Sequence, residues 1–165
     1  MRVTFNVEGL KLKDEVQFLD TIDKFHLIRY CLYMGKLTRG YINMVAFKQF
    51  EEMHAWQTAR EITRQVYRLS DQGQFGQDFG FKDQIRRAAV SVMSNIAEGF
   101  ESNTQALFIN YLGHAKASAG EVRSHLYIAF DLGYISKDQF QYLIEQNRKC
   151  SSQVYKLMKY LKAKL

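Results

Sequence analysis

Between Phe140 and Leu161 one set of residues returns at alternating intervals of three and four: Phe140, Leu143, Asn147, Cys150, Val154, Leu157 and Leu161. This is the heptad rhythm of a helix that buries a single seam along its length, and its neighbours must lie nearly parallel or antiparallel to it. The feature commits the chain to helix-on-helix packing. Asn147 is the polar member of the seam. Buried, it fixes register at a cost in stability; at the seam edge, it meets water. The spacing allows both.

The helical period recurs upstream. A first helix is expected over roughly Phe50 to Leu69, with Met53, Trp56, Ala59, Ile62 (or Thr63), Val66 and Leu69 on one stripe. A connection rich in Gly, Gln and Asp follows from Ser70 to Gly80. The second helix, about Phe81 to Ala97, places Ile85, Ala88, Ala89, Val92 and Ile96 on one face. Most of that face is small, so another helix can approach closely. Gly99 is expected to end it in a left-handed cap. The third helix runs about Thr104 to Leu132, with Gly133 marking its end, and Ser136 is the expected N-cap of a fourth that reaches about Ala163. The chain contains no proline, so the commonest helix breaker is absent. With 165 residues, 47% of them apolar, it can bury one core. The expected fold is all-α: an antiparallel up-down-up-down four-helix bundle with an extra N-terminal segment.

That segment, residues 1–43, is patterned differently. Val3, Phe5 and Val7 alternate with polar residues, as in a small hairpin. Asp14 to Met34 reads as a helix without a clean apolar face. Well-patterned sequence begins just beyond Met44. Two expectations stand: Met44 is the natural start and residues 1–43 an upstream extension, or they form a subdomain added to the bundle of residues 44–165.

Chemistry is sparse. Cys31 and Cys150 form no CxxC pair and have no histidine at ligand spacing, as expected of reduced thiols in a cytoplasmic protein. The apolar run around Phe25 to Met34 is short and broken by His26 and Arg29, so neither a membrane span nor a signal peptide is expected. No His-x-x-x-His motif occurs. His114 and Glu121, seven apart, could share a helix face, but a pair alone makes no catalytic constellation. No enzymatic activity, metal or cofactor is expected.

The formal charge of +6 is compatible with nucleic acid without requiring it. Arg86 and Arg87 lie beside the apolar stripe of the second helix. Lys116 and Arg123, seven apart, project on one side of the third. Lys149, Lys156 and Lys159 belong to a basic run on the fourth with no acidic residue after Glu145. These seven are the candidate phosphate contacts, since lysine and arginine displace counterions from a polyanion. The alternative for the last lysines is that they complement the helix dipole. Asn95, Glu98 and Gly99 form a candidate helix-end motif. An anion at a helix C-terminus is poorly placed, so Glu98 is expected to have a partner such as Arg87 or a nearby backbone group. Aromatic residues in the last two helices read mostly as core. Tyr155 and Tyr160, near Lys156 and Lys159, are the candidates for base stacking.

The run FGFKDQIRRAAVSVMSNIAEGF from Phe79 to Phe100 is specific. It combines with Trp56 and Ala59, then Phe108, Tyr111, Leu112, Ala115, Ser118, Glu121, Leu126, Ala129 and Leu132-Gly133-Tyr134. In these features, from about Phe50 to Leu161, the chain resembles the four-helix-bundle proteins encoded in bacterial 23S ribosomal RNA intervening sequences. It departs from them in lacking a first-loop proline, in Glu101-Ser102-Asn103 where a basic residue is usual, in Gly120 where a larger residue is usual, and in Ser124-His125-Leu126. The resemblance implies a non-catalytic homo-oligomeric ring, a pentamer. That family is similar to the accessory variability proteins of diversity-generating retroelements, whose basic pentameric rings bind nucleic acid and a reverse transcriptase. The expected partners are therefore a second copy of the chain, RNA or RNA–DNA hybrid, and, in the retroelement setting, a reverse transcriptase. A plain oligomeric scaffold is the remaining alternative.

Overall fold

The computed structural model describes residues 47–163. The expectations for residues 1–43, including the hairpin and the helix from Asp14, lie outside the described residues. A 3-10 turn at Phe50–Glu52 leads into α1 (His54–Leu69). A short α2 (Gly73–Gln77), α3 (Phe79–Glu101), α4 (Gln105–Asp131) and α5 (Lys137–Lys162) follow. The four long helices are the expected antiparallel bundle. Helix α1 packs on α3 and α5, and α4 packs on the same two, so α3 and α5 face each other across a diagonal.

Cross-helix contacts set the directions. Ser91 meets Ser118, while Gly99 further along α3 faces Phe108 and Tyr111 near the start of α4. Phe140 stacks on Phe130, while Tyr155 later in α5 lies beside Lys116 earlier in α4. Each pair of neighbours therefore runs in opposite senses.

The apolar stripes form the core. Ala59, Ile62, Val66 and Leu69 of α1 and all five predicted residues of α3 are buried. They meet Leu112, Ala115, Ala119, Val122, Leu126 and Ala129 of α4. On α5 the seam residues Leu143, Asn147, Cys150, Val154 and Leu161 are buried. Asn147 is thus an interior residue, and neither of its side-chain polar atoms has a hydrogen-bond partner among the described residues.

The ends are chemically determined. The Asp78 carboxylate accepts the Phe81 N–H, and the Thr104 hydroxyl accepts the Leu107 N–H. Ser136 and Gln139 form a reciprocal capping box, as the N-cap assignment anticipates. Gly133 ends α4 with a positive φ of 69°.

Two expectations fail. The Ser70–Gly80 connection is not all loop: it contains α2, anchored by Phe75, which is buried and stacks on Phe81 and Tyr134. Gly99 does not end a helix. Helix α3 runs through it to Glu101, and Gly99 is not among the residues with positive φ. The reason for glycine is close approach. A Cβ there would lie 2.7 Å from the Phe108 ring and 2.9 Å from Tyr111 Cβ.

Candidate nucleic-acid interface

The seven candidate cations do not form one surface. Arg86 and Arg87 are on α3, and Lys149, Lys156 and Lys159 are on α5 across the diagonal. Arg86 is held internally. Its guanidinium donates to the hydroxyl of buried Ser70 at 2.7 Å, to the Tyr67 carbonyl at 3.2 Å and to Asp71 at 3.2 Å. It also lies over the Tyr67 ring, 4.6 Å from the centroid. This arrangement ties the end of α1 to α3. Arg87 is exposed and pairs with Asp83, one turn back, at 2.9 Å. It therefore does not serve Glu98, which is exposed near the end of α3.

The helix-end motif has a different role from the one its position implies. Asn95 donates to the backbone and hydroxyl oxygens of Ser91, and the Ser91 hydroxyl shares a 2.9 Å hydrogen bond with Ser118. Asn95 and Gly99 both serve the α3–α4 contact, one through a polar clasp and the other through close approach.

The α4–α5 side is built differently. Ion pairs by lysine or arginine among the described residues are Arg64–Glu61, Lys82–Asp71, Arg86–Asp71 and Arg87–Asp83. All lie in α1, α3 and the link between them. No lysine or arginine of α4 or α5 has such a partner among the described residues. Lys116 reaches over the Tyr155 ring, 5.8 Å from its centroid.

Helical geometry arranges the remaining cations around that pair. At about 100° per residue, positions seven apart nearly eclipse. Arg123 therefore shares the flank of Lys116, and Arg148 and Lys162 share that of Tyr155, with Lys159 one turn beyond the ring. The antiparallel register that sets Lys116 against Tyr155 brings Arg123 opposite Arg148. Arg148 was outside the sequence-derived set; its signal was the 3/4 strip Arg148, Ser152, Tyr155, Lys159, Lys162, readable only once α4 is known to border it. Lys149 and Lys156 lie on a strip turned toward α1. Tyr160, five residues after Tyr155, is rotated by about 140° to the opposite flank, so the two stacking candidates are not brought together. Lys159 and Lys162 also occupy the last turn of α5, where cations offset the helix dipole.

The titratable groups offer no poised nucleophile. Burial pushes the Cys150 thiol up to about 12, and its Sγ sits 3.6 Å from the Ala55 carbonyl. Desolvation, reinforced by the hydrogen bond to Asp78, raises the Tyr134 hydroxyl above its ordinary value. Hydrogen bonds from Arg64 and Gln65 lower Glu61. Glu121 stands 3.6 Å from His125, one turn on. Among the described residues no group of three or more His, Cys, Asp or Glu could hold a metal ion. No helix there is long and apolar enough to cross a membrane.

A family model described as 23S rRNA-intervening sequence protein matches residues 51–156, which takes in α1 to α4 and most of α5. Among solved structures, the chain is similar to a protein of unknown function from the S23 ribosomal protein family of Bacteroides thetaiotaomicron. The TM-score is 0.59 at 22% identity, covering 64% of this chain and 98% of that one. At this identity the likeness speaks for the shared fold. No curated protein matches the chain.

Proposed function

The chain belongs to the 23S rRNA-intervening sequence protein family, and from that premise we propose that it is a non-enzymatic, ring-forming bundle that binds RNA or RNA–DNA hybrid through its α4–α5 side. One observation carries the reading: among the described residues no lysine or arginine of α4 or α5 has a carboxylate partner, whereas the ion pairs of lysine and arginine lie in α1, α3 and the link between them. Cations left unneutralised on one side of a fold are available to phosphates.

Self-association has its own support. Val90 on α3, and Leu107, Ile128 and Leu132 on or just after α4, are exposed. Ile128 and Leu132 are one turn apart on a strip of α4 away from Lys116 and Arg123. A contact there leaves the basic flank open, and ring symmetry repeats that flank in each copy.

The test is RNA affinity of the full chain as a function of salt, with the mass of the assembly measured natively. The expected outcome is a closed oligomer whose log affinity falls linearly and steeply with log salt. A salt-independent affinity, or no binding at low salt, overturns the nucleic-acid reading. A monomeric mass at micromolar concentration overturns the ring.

A further inference from the structure

We infer that the Tyr155 ring is a stacking platform for an unpaired base, so that the α4–α5 flank takes single-stranded RNA in preference to duplex. The inference rests on the proposed function and specifies the form of nucleic acid bound. Three features of the flank converge on it.

The first is the ring itself. Tyr155 is 55% exposed, although it sits on the flank of α5 that borders α4. An aromatic ring left accessible among cations is the arrangement that sequence-tolerant single-strand binders use. The second is the cation beside it. The Lys116 ammonium lies 5.8 Å from the ring centroid and forms no ion pair among the described residues. A flexible lysine can leave the ring for a phosphate, while its stem stays along the ring edge.

The third is room to approach. Gly113 and Gly120 flank Lys116 on the same side of α4, three residues before it and four after. A Cβ added at Gly120 would meet nothing within 4 Å, and one at Gly113 would meet only the Met158 methyl at 3.9 Å. The α4 side of the ring therefore has no side-chain wall on either side of the lysine. A base plane can slide over Tyr155 from α4, with Arg148 and Arg123 two turns away in one direction and Lys159 one turn away in the other. A base inside a duplex cannot present its face in this way, because its neighbours already stack on both faces.

The experiment compares three probes on the full chain at fixed salt: a short uniform RNA single strand, an abasic strand of the same length, and a blunt RNA duplex with equal phosphates. The abasic strand keeps the charge and removes the base. Wild type is expected to bind the single strand more tightly than the abasic strand by roughly 5- to 150-fold per stacked base. Tyr155→Leu should remove that difference and leave abasic and duplex binding within about two-fold, whereas Tyr155→Phe should retain it. Equal affinity of wild type for the single and abasic strands overturns the inference and leaves the proposed function standing. So does an equal loss on all three probes in Tyr155→Leu. If wild type binds none of the three, both readings fall. Thermal unfolding of each variant monitors the fold, and an exposed position such as Tyr155 is expected to leave it intact.

Discussion

Two tyrosines carry a cation over the ring, at opposite corners of the bundle, and only one of the pairs is closed. At the α1–α3 corner Arg86 lies over Tyr67 and spends its N–H groups on Ser70, the Tyr67 carbonyl and Asp71. At the α4–α5 corner Lys116 lies over Tyr155 and has no further partner among the described residues. Two helix glycines, one in the α3–α4 contact and one on α4 a turn from Lys116, repeat the contrast. Gly99 is pressed against Phe108 and Tyr111, whereas Gly120 faces open space. The same residue types thus serve cohesion on one side and accessibility on the other. Residue type alone does not assign a cation to a surface; what the neighbouring backbone and carboxylates take from it does.

The largest stability effect should come from opening the closed corner. Arg86→Ala removes charge-assisted hydrogen bonds and leaves the buried Ser70 hydroxyl without its guanidinium, at a cost of about 2 kcal/mol in urea unfolding. RNA affinity should stay within about two-fold. Lys116→Ala should do the reverse, changing stability by no more than about 0.5 kcal/mol while weakening RNA binding. A large stability loss in Lys116→Ala would erase the contrast.

The glycines come next. Gly99→Ala forces a methyl into the α3–α4 contact. The overpacking penalty exceeds the helix-propensity gain, for a net loss of about 1 kcal/mol. Gly120→Ala adds the same methyl to open space in a helix interior and should stabilise by about 0.5 to 1 kcal/mol. Opposite signs in thermal unfolding are the expected result, and equal signs would contradict the close-approach account of Gly99.

The smallest effect is with pH and belongs to groups outside both corners. The Cys150 thiol rises from 9 to about 12 on folding, and Tyr134 also rises. Both are neutral acids that the folded state keeps protonated. Over that window the folded chain holds more protons than the unfolded one, so stability falls as pH increases from about 9 toward 12. Cys150→Ser should alter the steepness of this loss. Unchanged alkaline unfolding profiles would speak against the buried thiol.

Much of the fold was legible in the sequence because helical burial is periodic. The α3 face, the α5 seam, Gly133 and the Ser136 cap were each readable from local spacing. What escaped were features that depend on a neighbour. Phe75 forms no periodic pattern, so α2 could not be seen; the one signal was a lone large apolar residue in a polar connection. Gly99 follows the pattern of a helix stop, but its cause is the distance to α4. The interface was legible as a list of cations and illegible as a surface. Only the antiparallel register separates Arg86, which is engaged, from Lys116, which is not, and brings Arg148 to Arg123.

The most direct test combines the substitutions Lys116→Gln, Arg123→Gln, Arg148→Gln and Lys159→Gln in one chain. The slope of log RNA affinity against log salt is then compared with that of wild type and of Arg86→Gln. The α4–α5 assignment predicts a slope shallower by about 0.7 for each lost phosphate contact on single strands, with Arg86→Gln indistinguishable from wild type. An unchanged slope in the combined variant, or an equal reduction in Arg86→Gln, would contradict it.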